Sequence, residues 1–436
     1  MRLMAADVAK ATNGTLIGQN AHLSGVSFDS RNVRPGQLFV PIVAERDGHE
    51  FVEAALAAGA GAYLTTGKTF GRTAITVPDT LAALLQLGAW GRNKLDAQLS
   101  NRVIGITGSV GKTSTKDFIA AALGSSLRVA ANERSFNNDQ GLPVTILNAP
   151  DDVEALVLEM GMRGFGEIAR LCTVARPNIG VVTRVASAHT ERVGGIDGVA
   201  RAKSELVIAL DASGFAVLNA DDERVVAMRT LTDATVITYG ASSLADVRMT
   251  SCVLDERACA SVSIESSWGK ASWKMNVPGE HMAHNAVGAI AVAGVLGLDL
   301  QRAAEAVSNS ILSEMRMQHR IARSGALIID DSYNANPASM SAALHALSVT
   351  KASRRIAVLG VMAELSEPER DHSEIAELAK KLGIEVLAIG TDMYGMQSRT
   401  LDEVAAMLSA VENSTGILIK GSRVAQLEKL VSHLVD

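Results

Sequence analysis

A short apolar run, a turn marked by Gly or Asp, and an Ala/Leu-rich amphipathic stretch recur along this chain. That alternation confines it to an α/β architecture with mainly parallel sheets. No periodic repeat and no low-complexity segment interrupts it. A chain of 436 residues has room for about three domains. The pattern divides accordingly into 1–99, 100–310 and 311–436.

In the first block, strands are predicted at Gln37–Val43, Ala62–Thr65 and Ala74–Val77, helices at Glu50–Ala58 and Thr80–Arg92, and a polar linker at Asn93–Asn101. The second block opens with the strand Arg102–Thr107 and continues with Ala155–Leu158, Ile179–Thr183 and Phe215–Leu218. Alternating residues from Asp246 to Val277 suggest an antiparallel insert. The third block gives strands at Ala326–Ile329, Ile356–Leu359, Val386–Ile389 and Ile417–Ile419 with helical patterns between them, a Rossmann-like spacing.

Composition removes several classes of function. With 41 Lys+Arg against 47 Asp+Glu the net charge is −6, so no basic stripe is available for nucleic acid or a membrane surface. Three cysteines (Cys172, Cys252 and Cys259) without a C-x-x-C pair exclude a disulfide scaffold and a thiolate zinc site. Asp7 and Lys10 interrupt any signal-peptide core. The longest apolar run, Ala286–Leu298, is 13 residues, short of the roughly 18 needed to span a bilayer. A soluble, cytoplasmic protein without membrane insertion is expected.

Gly105 to Thr115 carries Gly108-Ser109-Val110-Gly111-Lys112-Thr113-Ser114, after a strand and before a helix. Glycines let backbone N–H groups approach phosphate oxygens, the helix N-terminus adds positive partial charge, and Lys112 reaches the β/γ-phosphates. Thr113 offers a hydroxyl to Mg²⁺. Ile106 breaks the long G-x-x-x-x-G-K-[ST] form, leaving the shorter G-x-x-G-K-T pattern. ATP is the expected ligand. Glu159 ends the strand Ala155–Leu158, where a carboxylate beside a phosphate loop suits Mg²⁺. Taken singly, Glu159 reads as a surface turn, His189 as a structural histidine and Lys203 as a solvated charge on a helix.

Together these residues resemble the Mur ligases, ATP-dependent amide-forming enzymes of peptidoglycan synthesis. The shared features are the short phosphate loop, the strand-ending Glu159, and an A-H…A-K-x-E element with His189 and Lys203 fourteen positions apart. The resemblance implies a UDP-sugar-binding α/β domain, a central P-loop ATPase-like domain and a C-terminal Rossmann-like domain. It implies two Mg²⁺ sites, one on Thr113 and Glu159 and a second on His189, with Lys203 carbamylated by CO₂. Carbamylation turns a cation into a metal-orienting anion and requires a partly desolvated, neutral Lys203 amine.

The run Asp330-Asp331-Ser332-Tyr333-Asn334-Ala335-Asn336-Pro337-Ala338-Ser339-Met340 is similar to the signature of the D-alanyl-D-alanine-adding branch of that family. Ser135–Pro143 and Gly279–Asn285 match further family elements, and in the latter the final Asn reads adenine. The implied ATP set is Gly108, Ser109, Gly111, Lys112, Thr113, Ser114, Asn285, Arg316 and Asp331, with Arg316 on the phosphates and Asp331 on the ribose. Lys112, His189, Lys203 and Arg316 are the implied catalytic group. Asn138, Tyr333, Asn334 and Asn336 are expected on the acceptor side. Ser30, Arg31, Asp47, Gly48 and His49 are expected at the UDP-substrate. Leu359–Leu365 and Lys420-Gly421-Ser422-Arg423 match late motifs near the ATP or the dipeptide.

Three departures stand out: Thr183-Arg184-Val185-Ala186 where a T-N-I-G-like turn is usual, Met282 in place of Asn, and Ser366 in place of Gly. The Arg184 change lies nearest the metal site.

The implied reaction joins UDP-N-acetylmuramoyl-tripeptide to D-Ala-D-Ala in a monomer. A sibling ligase with another acceptor and a catalytically silent scaffold are the competing readings. Arg316 and Asp331 reach ATP only if the third domain closes on the second, with a hinge expected near Ser308–Glu314.

Overall fold

The computed structural model describes residues 1–133, 136–186 and 193–435. His189 lies outside the described residues. Three large sheets follow one another along the chain, each packed against helices, and Arg2–Met4 pairs with His22–Ser24 in a separate two-stranded sheet.

The central sheet has nine strands. In spatial order they are Gly269–Pro278, Cys259–Ser266, Val247–Leu254, Thr235–Gly240, Phe215–Asn219, Ile179–Val182, Val103–Thr107, Ala155–Glu159 and Val129–Ala131. From Val129–Ala131 to Val247–Leu254 the pairing is parallel, and the last three strands pair antiparallel. The expected antiparallel segment is therefore present, as an extension of the main sheet. Strands 103–107 and 155–159 are buried at every position, as a parallel sheet covered on both faces requires.

On one face, Phe118, Ile119 and Ala122 of helix Lys112–Gly124 pack with helix Glu280–Val295. That second helix buries every residue from Ala286 to Gly294. Its apolar run is a core helix, and no helix among the described residues is long and apolar enough to cross a membrane. Helices Glu167–Ala175 and Ile196–Ile208 cover the opposite face.

The third sheet runs Gln318–Ile321, Leu327–Asp331, Thr415–Lys420, Arg354–Gly360, Glu385–Ile389, parallel except for its first strand. One of its faces carries Met340, Leu344 and Leu347, which belong to the same apolar cluster as the central helices. The two blocks thus share a core.

The first sheet pairs Thr15–Ile17, Ala74–Thr76, Ala62–Thr65, Leu38–Phe39 and Val26–Ser27. The predicted strand Gln37–Val43 shortens to Leu38–Phe39, because Pro41 has no N–H to extend the ladder.

The expected linker Asn93–Asn101 is a correction. Helix Thr80–Lys94, started by the Asp79 side chain on the N–H groups of Leu81 and Ala82, runs into it, and a second helix covers Asp96–Leu99. Leu95 and Leu99, four apart, are buried against the central core. Arg92 donates to the Ala175 carbonyl at 2.9 Å. Polar neighbours in sequence hid that apolar pair.

A second clamp joins first and central blocks. The Asn148 amide, at the end of helix Gly141–Asn148, accepts from Val26 N–H at 2.8 Å and donates to Val26 C=O at 2.9 Å, so one side chain completes an edge strand. Asn148→Ala leaves both groups without this partner and is expected to lower stability by about 1–3 kcal/mol in urea unfolding. Asn148→Asp keeps the acceptor but sets a carboxylate oxygen against the Val26 carbonyl, and should be at least as destabilising.

Candidate functional site

The site follows from strand order. Val103–Thr107 lies between Ala155–Glu159 and Ile179–Val182, the point where successive strands leave in opposite directions, and ligands bind outside the carboxyl ends at such a switch. Register aligns these ends, with Glu159 opposite Ile106 and Val182 opposite Thr107. A cavity of about 660 Å³ opens there, lined from the central block by the phosphate loop, Glu159 and Lys203, and from the third by Arg316, Asp331 and Lys420.

Gly111 precedes helix Lys112–Gly124 with φ +82°, and a Cβ there would stand 2.6 Å from the Asn285 side chain. Only glycine lets the loop turn that closely past the helix carrying Asn285. The segment after Ile179–Val182 braces the loop. Ser109 N–H donates to the Arg184 carbonyl at 2.6 Å, Thr183 Oγ1 to the Val110 carbonyl at 2.6 Å, and Ser109 Oγ to the Ala186 carbonyl at 2.9 Å. Arg184 contributes its backbone to this brace while its side chain is exposed, so the departure at that position leaves the loop supported.

Glu159 is 1% exposed and accepts from Thr113 Oγ1 at 2.8 Å and Asn137 Nδ2 at 2.6 Å. Both donors are neutral, so hydrogen bonds leave its charge unneutralised. Lys112 Nζ donates to the Gly108 carbonyl at 2.9 Å. Burial lowers its pKa, opposed by Glu159 and helped by the like charge of Arg316. Lys203 is 2% exposed on helix Ile196–Ile208, and burial, then the like charge of Lys112, push its pKa well down despite Glu159. Neither Glu159 nor Lys203 is the solvated surface group that each suggests alone.

On the third block, Arg316 Nη2 reaches Thr113 Oγ1 at 3.4 Å, and its guanidinium carbon lies 4.1 Å from the Tyr333 ring centroid. The third block is thus closed on the second, as contact between Arg316 and the phosphate loop requires. At the opposite wall Asn285 and His281 share one helix, and burial pushes His281 down to about 4, so it is neutral at pH 7. Asp221 accepts from the N–H groups of Ala241 and Ser242 at 2.8 Å and pairs with His284 at 3.1 Å.

A family model of the Mur ligase middle domain matches residues 106–293, and one of the Mur ligase glutamate ligase domain matches 315–435. A UDP-N-acetylmuramoyl-tripeptide–D-alanyl-D-alanine ligase of Mycobacterium tuberculosis is 39% identical over 84% of this chain and 77% of its own. The Escherichia coli protein of the same name is 33% identical over 97% and 96%. The chain belongs to the Mur ligase family.

Its fold agrees with solved Mur ligases. A MurF crystal structure from Acinetobacter baumannii superposes with a TM-score of 0.91 over 100% of this chain and 99% of that one, at 27% identity. MurF from Thermotoga maritima in complex with ADP gives 0.80 at 26% identity, over 94% and 96%.

Of the residues singled out in this Mur ligase sequence, the phosphate-loop set, Glu159, Lys203, Asn285, Arg316 and Asp331 all line the one cavity, as do Asn138, Tyr333, Asn334 and Asn336. Two of these have structural duties as well. Asn138 Oδ1 accepts from Gln140 and Gly141 N–H at a helix start, and Asn336 forms a capping box with Ser339.

Ser30, Arg31, Asp47, Gly48 and His49 do not line the cavity. They sit in or at the start of short 3-10 helices, Ser30–Asn32 and Gly48–Phe51, after the adjacent parallel strands Val26–Ser27 and Leu38–Phe39, at the carboxyl edge of the first sheet. Asp47 pairs with His49 Nδ1 at 2.6 Å, and His49 Nε2 accepts from Thr66 N–H, which follows the next strand. Arg31, bridged to Asp29, is 85% exposed. The Phe28 ring lies 5.4 Å from Phe136, linking this edge to the segment that carries Asn137 and Asn138.

Sequence reasoning gave no role to Asn137 or Thr183, although each stood inside a motif already marked, and it put Lys420 near the ATP or the dipeptide without its partners. A hydrogen-bonding role for a backbone brace leaves no spacing signature.

Proposed function

We infer that this chain is the ATP-dependent amide ligase that joins D-alanyl-D-alanine to UDP-N-acetylmuramoyl-tripeptide, giving the pentapeptide precursor of peptidoglycan. The observation that carries it is the meeting, in one cavity, of the phosphate loop with the Asp330–Met340 run of the third block. Relatives bearing that activity's name match nearly the whole chain.

A carboxylate does not condense with an amine at neutral pH, because its oxygen leaves too poorly. In the proposed reaction the tripeptide carboxylate attacks the γ-phosphate of ATP, forming an acyl phosphate and releasing ADP. The dipeptide amine then attacks the acyl carbon, and the tetrahedral adduct expels phosphate. Lys112 and Arg316 face the place where negative charge crowds, the arrangement that stabilises phosphoryl transfer. No side-chain nucleophile is needed.

The donor set fits Mg²⁺. Hard oxygens of Thr113 and Glu159 lie together, buried, with no cation donating to Glu159 among the described residues. Mg²⁺ bound there supplies charge neutralisation and alignment of phosphate oxygens. We assign a second ion to His189 and Lys203, the latter as its carbamate. Asn285 reads the adenine. Ser30, Arg31, Asp47, Gly48 and His49 take the UDP moiety, and Asn138, Tyr333, Asn334 and Asn336 border the dipeptide. In this reading the chain works as a cytoplasmic monomer of three domains, 1–99, 100–310 and 311–436, without nucleic acid or membrane.

The test is phosphate release from ATP with purified protein, Mg²⁺ and UDP-muramoyl-tripeptide. Release with D-Ala-D-Ala and not with single D- or L-amino acids is the expected result. Release with another amine moves the chain to a sibling ligase, and silence with every acceptor despite ATP binding makes it a scaffold.

A further inference from the structure

Arg316 stands on an unusual piece of backbone. Met315 and Met317 on either side have φ of +59° and +49°. Residues with a Cβ avoid this left-handed region, and they remain there only when the surroundings fix them. Between them the Arg316 guanidinium is aimed at Thr113, with its Nε buried and without a hydrogen-bond partner among the described residues. Something must hold this turn, or the side chain would relax away from the phosphate loop.

Gln318 Oε1 accepts from Met315 N–H at 3.2 Å, and the other holding groups are in the segment 331–334. Asp331 Oδ1 accepts from Met317 N–H at 3.2 Å, and Tyr333 N–H donates to the Met315 carbonyl at 3.4 Å. Both flanks of Arg316 are therefore tied to one short stretch after the strand Leu327–Asp331. Lys420, directly opposite Asp331 on the neighbouring parallel strand, ties that stretch at both ends. Its Nζ pairs with Asp331 Oδ2 and donates to the Asn334 carbonyl at 2.9 Å. Lys420 is 1% exposed, so this pairing is little screened by solvent.

Resting on the ligase reading above, we propose that Lys420 is a positioning residue: its pairing with Asp331 and Asn334 fixes the left-handed turn that delivers Arg316 to the γ-phosphate. Asp331 acts in the same relay through Oδ1, besides any contact with the ribose. Lys420 itself has no hydrogen bond to the phosphate loop.

The test is a double-mutant cycle between Lys420→Met and Arg316→Ala in the full chain. Lys420→Met is expected to lower kcat by about 10²-fold through misplacement of Arg316. The KM for the UDP-muramoyl-tripeptide, whose uridine end is assigned to the first block, should be unchanged. In the Arg316→Ala background the same substitution should change kcat by less than about twofold, because the group it acts through is gone. An equal loss in both backgrounds, or no loss in the parent, overturns the proposal. Lys420→Met leaves Asp331 buried and unpaired. If that variant does not fold, Lys420→Gln, whose neutral amide can still donate to Asp331, replaces it in the cycle, with a smaller loss in the parent and again less than about twofold in the Arg316→Ala background. A parent chain that consumes no ATP with the dipeptide would instead sink the ligase reading. The cycle is then read in the affinity for a non-hydrolysable ATP analogue, where additivity overturns the proposal and non-additivity supports it.

Discussion

Lys112→Met is expected to reduce ATP turnover by on the order of 10³-fold, the scale for removing a preorganised charge from a phosphoryl-transfer site. The Lys112 side chain is half-buried, and among the described residues its ammonium donates to a carbonyl, that of Gly108, and to no carboxylate. Burial and the neighbouring Arg316 both disfavour its charged form, and Glu159 offsets them only in part. A polyphosphate entering the cavity reverses that balance by adding several negative charges beside it. The charge is thus costly in the free chain and stabilised in the complex, which ties Lys112 to anion binding rather than to folding. Lys112→Met should accordingly fold at least as stably as the parent in thermal denaturation, while its kcat collapses. Lys112→Arg should rescue little, because the wider guanidinium does not fit against the Gly108 carbonyl in a buried loop. Turnover within tenfold of the parent would show that the phosphate loop does not handle the reacting phosphate.

How far the fold could be read from the chain depended on how local its causes are. Ala62–Thr65 begins and ends where expected because a four-residue apolar run between turns has one outcome in a parallel sheet. The strands carrying Thr107, Glu159 and Asp331 were legible for the same reason. The linker Asn93–Asn101 failed because its decisive feature, burial of Leu95 and Leu99 against the central core, is a contact with residues far along the chain. Strand Gln318–Ile321, at an edge and largely exposed, has no apolar alternation to reveal it.

The candidate site divides along the same line. Residues whose type and spacing define a motif, such as Lys112 and Thr113, could be named in advance. The holding of one residue by another could not: Thr183 is marked by its bond to the Val110 carbonyl, and the Lys420 motif gave a neighbourhood but not the partnership with Asp331. Glu159 and Lys203 were readable as members of a pattern, while their burial, on which their chemistry depends, was not.

Lys203 carries the second large expectation. Within the cavity the Lys203 amine stands near Lys112 and near the buried carboxylate of Glu159. Burial and the like charge of Lys112 hold the Lys203 pKa well below that of a free lysine, which raises its neutral fraction at a given pH. A neutral amine adds CO₂ to give a carbamate and a released proton, and this leaves a negative charge that can face a metal where the ammonium would carry a positive one. The sign of the pH effect follows. Lowering the pH protonates the amine and removes the carbamate, so ligase activity should fall on the acid side and be restored in part by added bicarbonate. With ¹³C-bicarbonate the parent chain should show a carbamate carbonyl resonance by NMR, absent from Lys203→Gln. That variant should lose about 10²–10³-fold in kcat, the loss of one oriented charge at the reacting phosphates. Full activity in CO₂-depleted buffer, together with no carbamate resonance, would make Lys203 a buried amine that acts without modification.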